Sequence, residues 1–103
     1  MENTTSAVNE ENAHPASIIS KPYDIFRKHR VAIYVTRQGE RVRTVVALDG
    51  FLLNALMLKT GIEKKEVPKT VQRLIDECGP AFNGNHQVTC QVNYLIVKRL
   101  MSE

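Results

Sequence analysis

Residues 21 to 43 hold seven of the fourteen basic side chains: Lys21, Arg27, Lys28, Arg30, Arg37, Arg41 and Arg43. Only Asp24 and Glu40 oppose them there. Ammonium and guanidinium groups this dense suit a surface that binds a polyanion. Solvated arginines beside a pair of strands would have the same composition, so the cluster points to phosphate without fixing it. His29 lies inside the cluster with no acid and nucleophile nearby to complete a catalytic set. A solvated or phosphate-facing imidazole is the expectation.

Cys78, His86 and Cys90 are the other candidates for chemistry. Their spacing, C-x7-H-x3-C, lacks the paired close ligands of a zinc knuckle and offers three donors where four are usual. Two buried thiols and no metal are expected. No nucleophile–base pair, spaced carboxylate pair or phosphate-cradling glycine loop occurs, and the five glycines are scattered singly. The expectation is therefore a protein that is not an enzyme and needs no cofactor.

The rest of the composition narrows the class. With 43% hydrophobic and 24% charged residues the chain reads as an ordinary soluble domain. No apolar run approaches the ~18 residues of a membrane span, and no secretory signal pattern opens the sequence. A cytoplasmic protein with no membrane partner is expected. Residues 1 to 20 carry Glu2, Glu10 and Glu11 and no lysine or arginine, while the remainder has fourteen basic against eight acidic residues. That first stretch, poor in large apolar groups, is expected to be a disordered tail. Residues 21 to 103 are expected to form a single domain.

"VAIYVT" (31–36) and "RVRTVVAL" (41–48) are β-branched runs separated by "RQGE", so each predicts a strand. Alternation places Val42, Thr44, Val46 and Leu48 on one face of the second strand, and Arg41, Arg43, Val45 and Ala47 on the other. A hairpin is the simplest pairing. The alternative leaves 41–48 to pair with a second copy of the chain. Asp49 can cap a helix from Gly50 to about Lys59, which Gly61 can end in a left-handed conformation. That helix is apolar almost all round, with Asn54 and Lys59 its clearly polar residues. A helix apolar all round must be buried all round, and a second subunit is the expected cover. Val67, Val71, Leu74, Ile75 and Cys78 form one stripe of a second helix, opposite Lys69, Gln72, Arg73, Asp76 and Glu77. Gly79-Pro80 ends it, and Pro68 fits its first turn. Residues 87 to 101 place Val88, Val92, Leu95 and Ile96 at helical spacing, and their length favours a third helix over a strand.

Across residues 41–79, "R-T-V-x-x-L-D", the dense apolar helix after it and "G-I-x-K-K" before the second helix together resemble the ribbon-helix-helix family of DNA-binding repressors. The resemblance implies an α+β fold, a strand or hairpin followed by two to three helices, in an intertwined homodimer. It also implies double-stranded DNA as the partner. Thr44, Val46 and Leu48 would then face the core. Arg43, Val45 and Ala47, with Arg41 beside them, would face the major groove, Arg43 donating to a guanine and the small residues touching thymine methyls. Lys64, Lys65 and Lys69 would hold a phosphate at the start of the second helix. Val45 and Ala47 are poor hydrogen-bonding readers, Glu63 replaces a small hydroxyl cap, Pro68 interrupts the second helix, and strand 31–36 has no place in the minimal fold. The expected function is DNA binding, sequence-specific or general, as in transcription regulation or as an accessory protein of a mobile element. The alternative is a dimeric protein-interaction module, for which the C-terminal extension, residues 80–103, would meet a protein partner.

Overall fold

The computed structural model describes residues 21–102, and the tail expected over residues 1–20 lies outside them. The element order is β1 (Lys28–Arg37), β2 (Glu40–Asp49), α1 (Gly50–Thr60), α2 (Val67–Cys78) and α3 (Val88–Met101). Single 3-10 turns cover Lys64–Glu66 and Gly79–Ala81. The fold is α+β, a two-stranded antiparallel hairpin followed by three helices, compatible with a ribbon-helix-helix arrangement.

The strands pair within one chain, from Lys28 opposite Asp49 to Arg37 opposite Glu40. Gln38 and Gly39, with φ of 51° and 82°, make the two-residue turn whose twist matches that of the strands. Both strands outrun the expected 31–36 and 41–48. The far end is closed by the Gly50 amide, which donates to the Arg27 carbonyl at 2.9 Å. Glycine is required at that junction, because a Cβ would collide with the Asp24 carbonyl oxygen.

One face of the hairpin buries Val31, Ile33, Val35, Val46 and Leu48, and every helix packs against it. α2 lies along β1, whereas α1 and α3 lie along β2 and against each other. Leu53, Leu56 and Met57 of α1, Val67, Val71 and Ile75 of α2, and Val92 and Ile96 of α3 complete the core.

The helix ends follow the sequence in part. Gly61 is left-handed and its N–H donates to the Met57 carbonyl at 2.8 Å. Pro68 falls in the first turn of α2, where its missing amide hydrogen costs little. Asp49 occupies the cap position of α1, but its carboxylate makes no capping bond; the Arg27 carbonyl takes the first amide instead. The need for a second subunit around α1 is also reduced. α3 packs on α1 from within the chain, leaving Phe51 and Leu58 as its exposed large apolar residues.

Three side-chain amides tie the layers together. Asn54 accepts from the Tyr23 N–H at 2.8 Å and donates to the Tyr23 carbonyl at 2.9 Å. Gln72 does the same for Tyr34, at 2.7 and 3.0 Å, so the outer edge of β1 is met by a helix side chain. Gln91 clasps Asn83 at 2.9 and 2.6 Å and fixes the loop before α3. Gln72 therefore does not simply face water as its place opposite the α2 stripe suggested. Replacing it by leucine removes the two bonds to Tyr34 and a third to the Asp76 carboxylate at 3.1 Å, and should lower stability by about 1–3 kcal/mol. Arg73→Ala, on the exposed side of the same helix, should change it by less than about 0.5 kcal/mol. Urea denaturation of the two variants checks the difference.

Candidate nucleic-acid interface

The pleat decides which side chains the hairpin offers to solvent. Because the core face takes Val31, Ile33 and Val35 from β1, the intervening Lys28, Arg30, Ala32, Tyr34 and Thr36 point the other way. Register sets them beside Asp49, Ala47, Val45, Arg43 and Arg41 of β2. Among the described residues, no helix lies on this second face. It holds four cations, Lys28, Arg30, Arg41 and Arg43, all exposed, with Asp49 as the acid at its far end. The Arg41 guanidinium sits over the Tyr34 ring, 5.2 Å from its centroid, which keeps the fork close to the sheet.

Arg41, Arg43, Val45 and Ala47 are thus brought together as the sequence indicated. Lys28, Arg30 and Tyr34 complete the face; the sequence reading counted Lys28 and Arg30 in its basic cluster and put Tyr34 in the first strand, but assigned none of them to this face. Their signal was present: lysine, arginine, alanine and tyrosine at 28, 30, 32 and 34 continue the same two-residue period.

Lys64, Lys65 and Lys69 fall elsewhere. They belong to the helical layer, in the turn before α2 and its first turn, and all are exposed. The Lys64 ammonium lies 4.5 Å from the centroid of the Tyr23 ring, and Lys65 is 3.9 Å from the Glu63 carboxylate. An exposed pair at that distance contributes little to stability. Glu63 also receives the Glu66 carboxylate on its own N–H at 2.9 Å, so two acids share the turn with the lysines. Of the two lysine-bearing surfaces, the open face of the hairpin has the cleaner positive field.

His29 is not phosphate-facing. Its ring lies half-buried against Tyr23, with centroids 4.7 Å apart, and Nε2 is 3.1 Å from the Asp24 carbonyl, a donor's position. Odd-numbered residues of β1 point toward the helices, which turns position 29 away from the cations. The cysteines also depart from expectation. Cys78 is half-buried, its Sγ 3.5 Å from the Leu74 carbonyl, but Cys90 is exposed on the outer side of α3. Both thiols are free.

Comparison with protein-family models, curated proteins and solved structures finds no match for this chain. Among the described residues, no helix is long and apolar enough to cross a membrane.

Tyr23 lies beneath Lys64 and between Asn54 and His29, and burial raises its phenol pKa above the ordinary 10.0. The fold favours the neutral phenol. Its contribution to stability is therefore full below pH 10 and is lost as pH rises through the raised value. Tyr23→Phe, which cannot ionise, should lose less stability than the natural protein between neutral pH and the alkaline range, as read by denaturation midpoints across that range.

Proposed function

We propose that the protein is a homodimeric DNA-binding protein that presents the open face of its hairpin to the major groove of a duplex, in the manner of a small transcriptional regulator or an accessory protein of a mobile element. The observation that carries this is the grouping of Lys28, Arg30, Arg41 and Arg43 on one uncovered sheet face. A two-stranded ribbon fits the major groove and sets alternate side chains against base edges; in a dimer paired through β2, that ribbon is the two central β2 strands with a β1 strand on either side. Arg43 is the β2 cation nearest the middle of that face, so it is the base reader, while Val45 and Ala47 can touch only thymine methyls and Lys28, Arg30 and Arg41 meet phosphates. Discrimination therefore rests mainly on Arg43. Lys64, Lys65 and Lys69 act as phosphate contacts at most.

Two features support the dimer. Tyr34 turns its N–H and C=O outward to Gln72, so Arg43 opposite it turns its own toward the other edge, as do Arg41, Val45 and Ala47. Among the described residues no backbone hydrogen bond from another element meets that edge of β2. An open edge of this kind is a template for another strand. Of the large apolar residues left exposed on the helices, Phe51, Leu58, Tyr94, Val97 and Met101, all lie on α1 and α3, the two helices beside β2, and none on α2. Antiparallel pairing of two β2 strands centred on Val45 would set Arg41 against the partner's Asp49 and Arg43 against the partner's Ala47. Centring on Arg43 would oppose two arginines, which costs stability.

The stripe of Cys90, Tyr94, Val97 and Met101 on α3 favours a second use, a protein partner for the C-terminal helix.

Arg43→Ala should weaken duplex binding by roughly 1–3 kcal/mol and relax sequence preference, while Lys65→Ala weakens binding to all sequences alike, if at all. The salt dependence of duplex affinity should have a log–log slope of roughly −3 if one chain engages phosphates through Lys28, Arg30 and Arg41, and about twice that for a dimer. Fluorescence anisotropy at several salt concentrations, with sedimentation equilibrium of the free protein, reads both. Unchanged affinity in Arg43→Ala together with a flat salt response would remove the proposal.

A further inference from the structure

A groove of about 810 Å³ runs between the tip of the hairpin and the loop that links α2 to α3. One wall is Tyr34, Thr36 and Arg41 of the open face, and the other is the chain from Gly79 to Asn85 with Asp76 of α2. Its size is in the range that takes a small organic ligand. The walls are tied to each other by built contacts. Arg37 Nε donates to the Gly84 carbonyl at 2.6 Å, and Gly84 lies against the Thr36 backbone so tightly that a Cβ would collide with the Thr36 carbonyl oxygen. Gln91 fixes Asn83 from behind, and the Asn85 N–H donates to the Asn83 side chain at 2.9 Å.

The chemistry of this groove differs from that of the rest of the open face. Tyr34 is the aromatic residue of that face and is 45% exposed. Its same-face neighbours along β1, Ala32 and Thr36, are small, and Arg43 lies opposite it in register. The Arg41 guanidinium lies over one face of the ring, so a base would take the other, and Gln38, Asn83 and Asn85 supply amides around the opening. An exposed ring, an adjacent guanidinium and flanking amides are what an unpaired nucleotide requires: a π-face for the base, a charge for its phosphate and donors and acceptors for its edge. Base pairs inside a duplex offer their edges and not their faces, so Tyr34 has no comparable use against an intact helix.

We infer that the groove at the hairpin tip holds an unpaired nucleotide stacked on Tyr34, so that the protein prefers duplex DNA carrying a single-stranded extension. The inference rests on the nucleic-acid reading of the open face and adds the class of substrate. The duplex lies along the open face, and the strand that leaves it enters between Tyr34 and the 79–85 loop.

The test compares a blunt sixteen-base-pair duplex with the same duplex bearing a six-thymidine overhang, in each polarity in turn, at fixed salt. The natural protein should bind one tailed duplex more tightly than the blunt one by roughly 5- to 150-fold, the range of base–aromatic stacking. Tyr34→Leu should abolish that preference, read as the ratio of tailed to blunt affinity within the variant, and Tyr34→Phe should keep it. The backbone bonds of Tyr34 to Gln72 do not involve the ring, so both variants retain the clasp on β1. Far-ultraviolet circular dichroism checks that they fold. No preference for either tail, or a preference that survives in Tyr34→Leu, overturns the inference. Arg43→Ala separates the levels: if it leaves blunt-duplex affinity unchanged, the reading of the open face itself fails, whatever the tailed probes show.

Discussion

The antiparallel register between residues 28–37 and 40–49 decides which side chains this protein keeps and which it shows. A slip of one residue in either strand would send Val31, Ile33 and Val35, or Val46 and Leu48, to the solvent side. It would also carry arginines into the core, where an unpaired charge is costly. The apolar face selects the register, and the two-residue turn at Gln38-Gly39 fixes it from the end. The positive face is the obligatory other side of that choice. Its four cations need no device of their own to converge, because the pleat that buries the valines also aligns the arginines.

The two edges of this small sheet are treated differently. Along β1, Gln72 answers the backbone of Tyr34, Gly84 abuts Thr36, and Arg37 reaches the loop beyond. Along β2, none of the described elements does the equivalent. α1 and α3 lie on that side and carry the exposed apolar residues of the helical layer, while α2, under the closed edge, buries Val67, Val71 and Ile75. Closure on one side and openness on the other is what a protein would show if it joined a second strand at one edge only.

Much of the framework was legible in the sequence. Both strands, all three helices, the glycine stop at 61 and the alternation of β2 follow from periodicity and from the turn residues. What was hidden depends on side chains that bridge distant segments. Asn54 looked like one of two wet positions of an apolar helix, and Gln72 like part of a solvated face; each instead clasps the backbone of a residue more than thirty positions away. No local pattern marks such a pair. The site was half legible for a related reason. Arg41, Arg43, Val45 and Ala47 share a strand and declare their face by alternation, whereas Lys28, Arg30 and Tyr34 join them only through cross-strand register. His29, read among its basic neighbours in sequence, belongs by pleat to the opposite side. Lys64, Lys65 and Lys69 came from the family resemblance and lie in a different layer from the arginines.

The most direct test of the account follows the arginine Nε–H resonances in a two-dimensional nuclear magnetic resonance titration with a short duplex. The open-face assignment predicts that Arg30, Arg41 and Arg43 shift or broaden together, while Arg73 on α2 and Arg99 on α3 stay where they are. Movement of Arg73 or Arg99 with the hairpin signals unchanged would place the contact on the helical layer and contradict it.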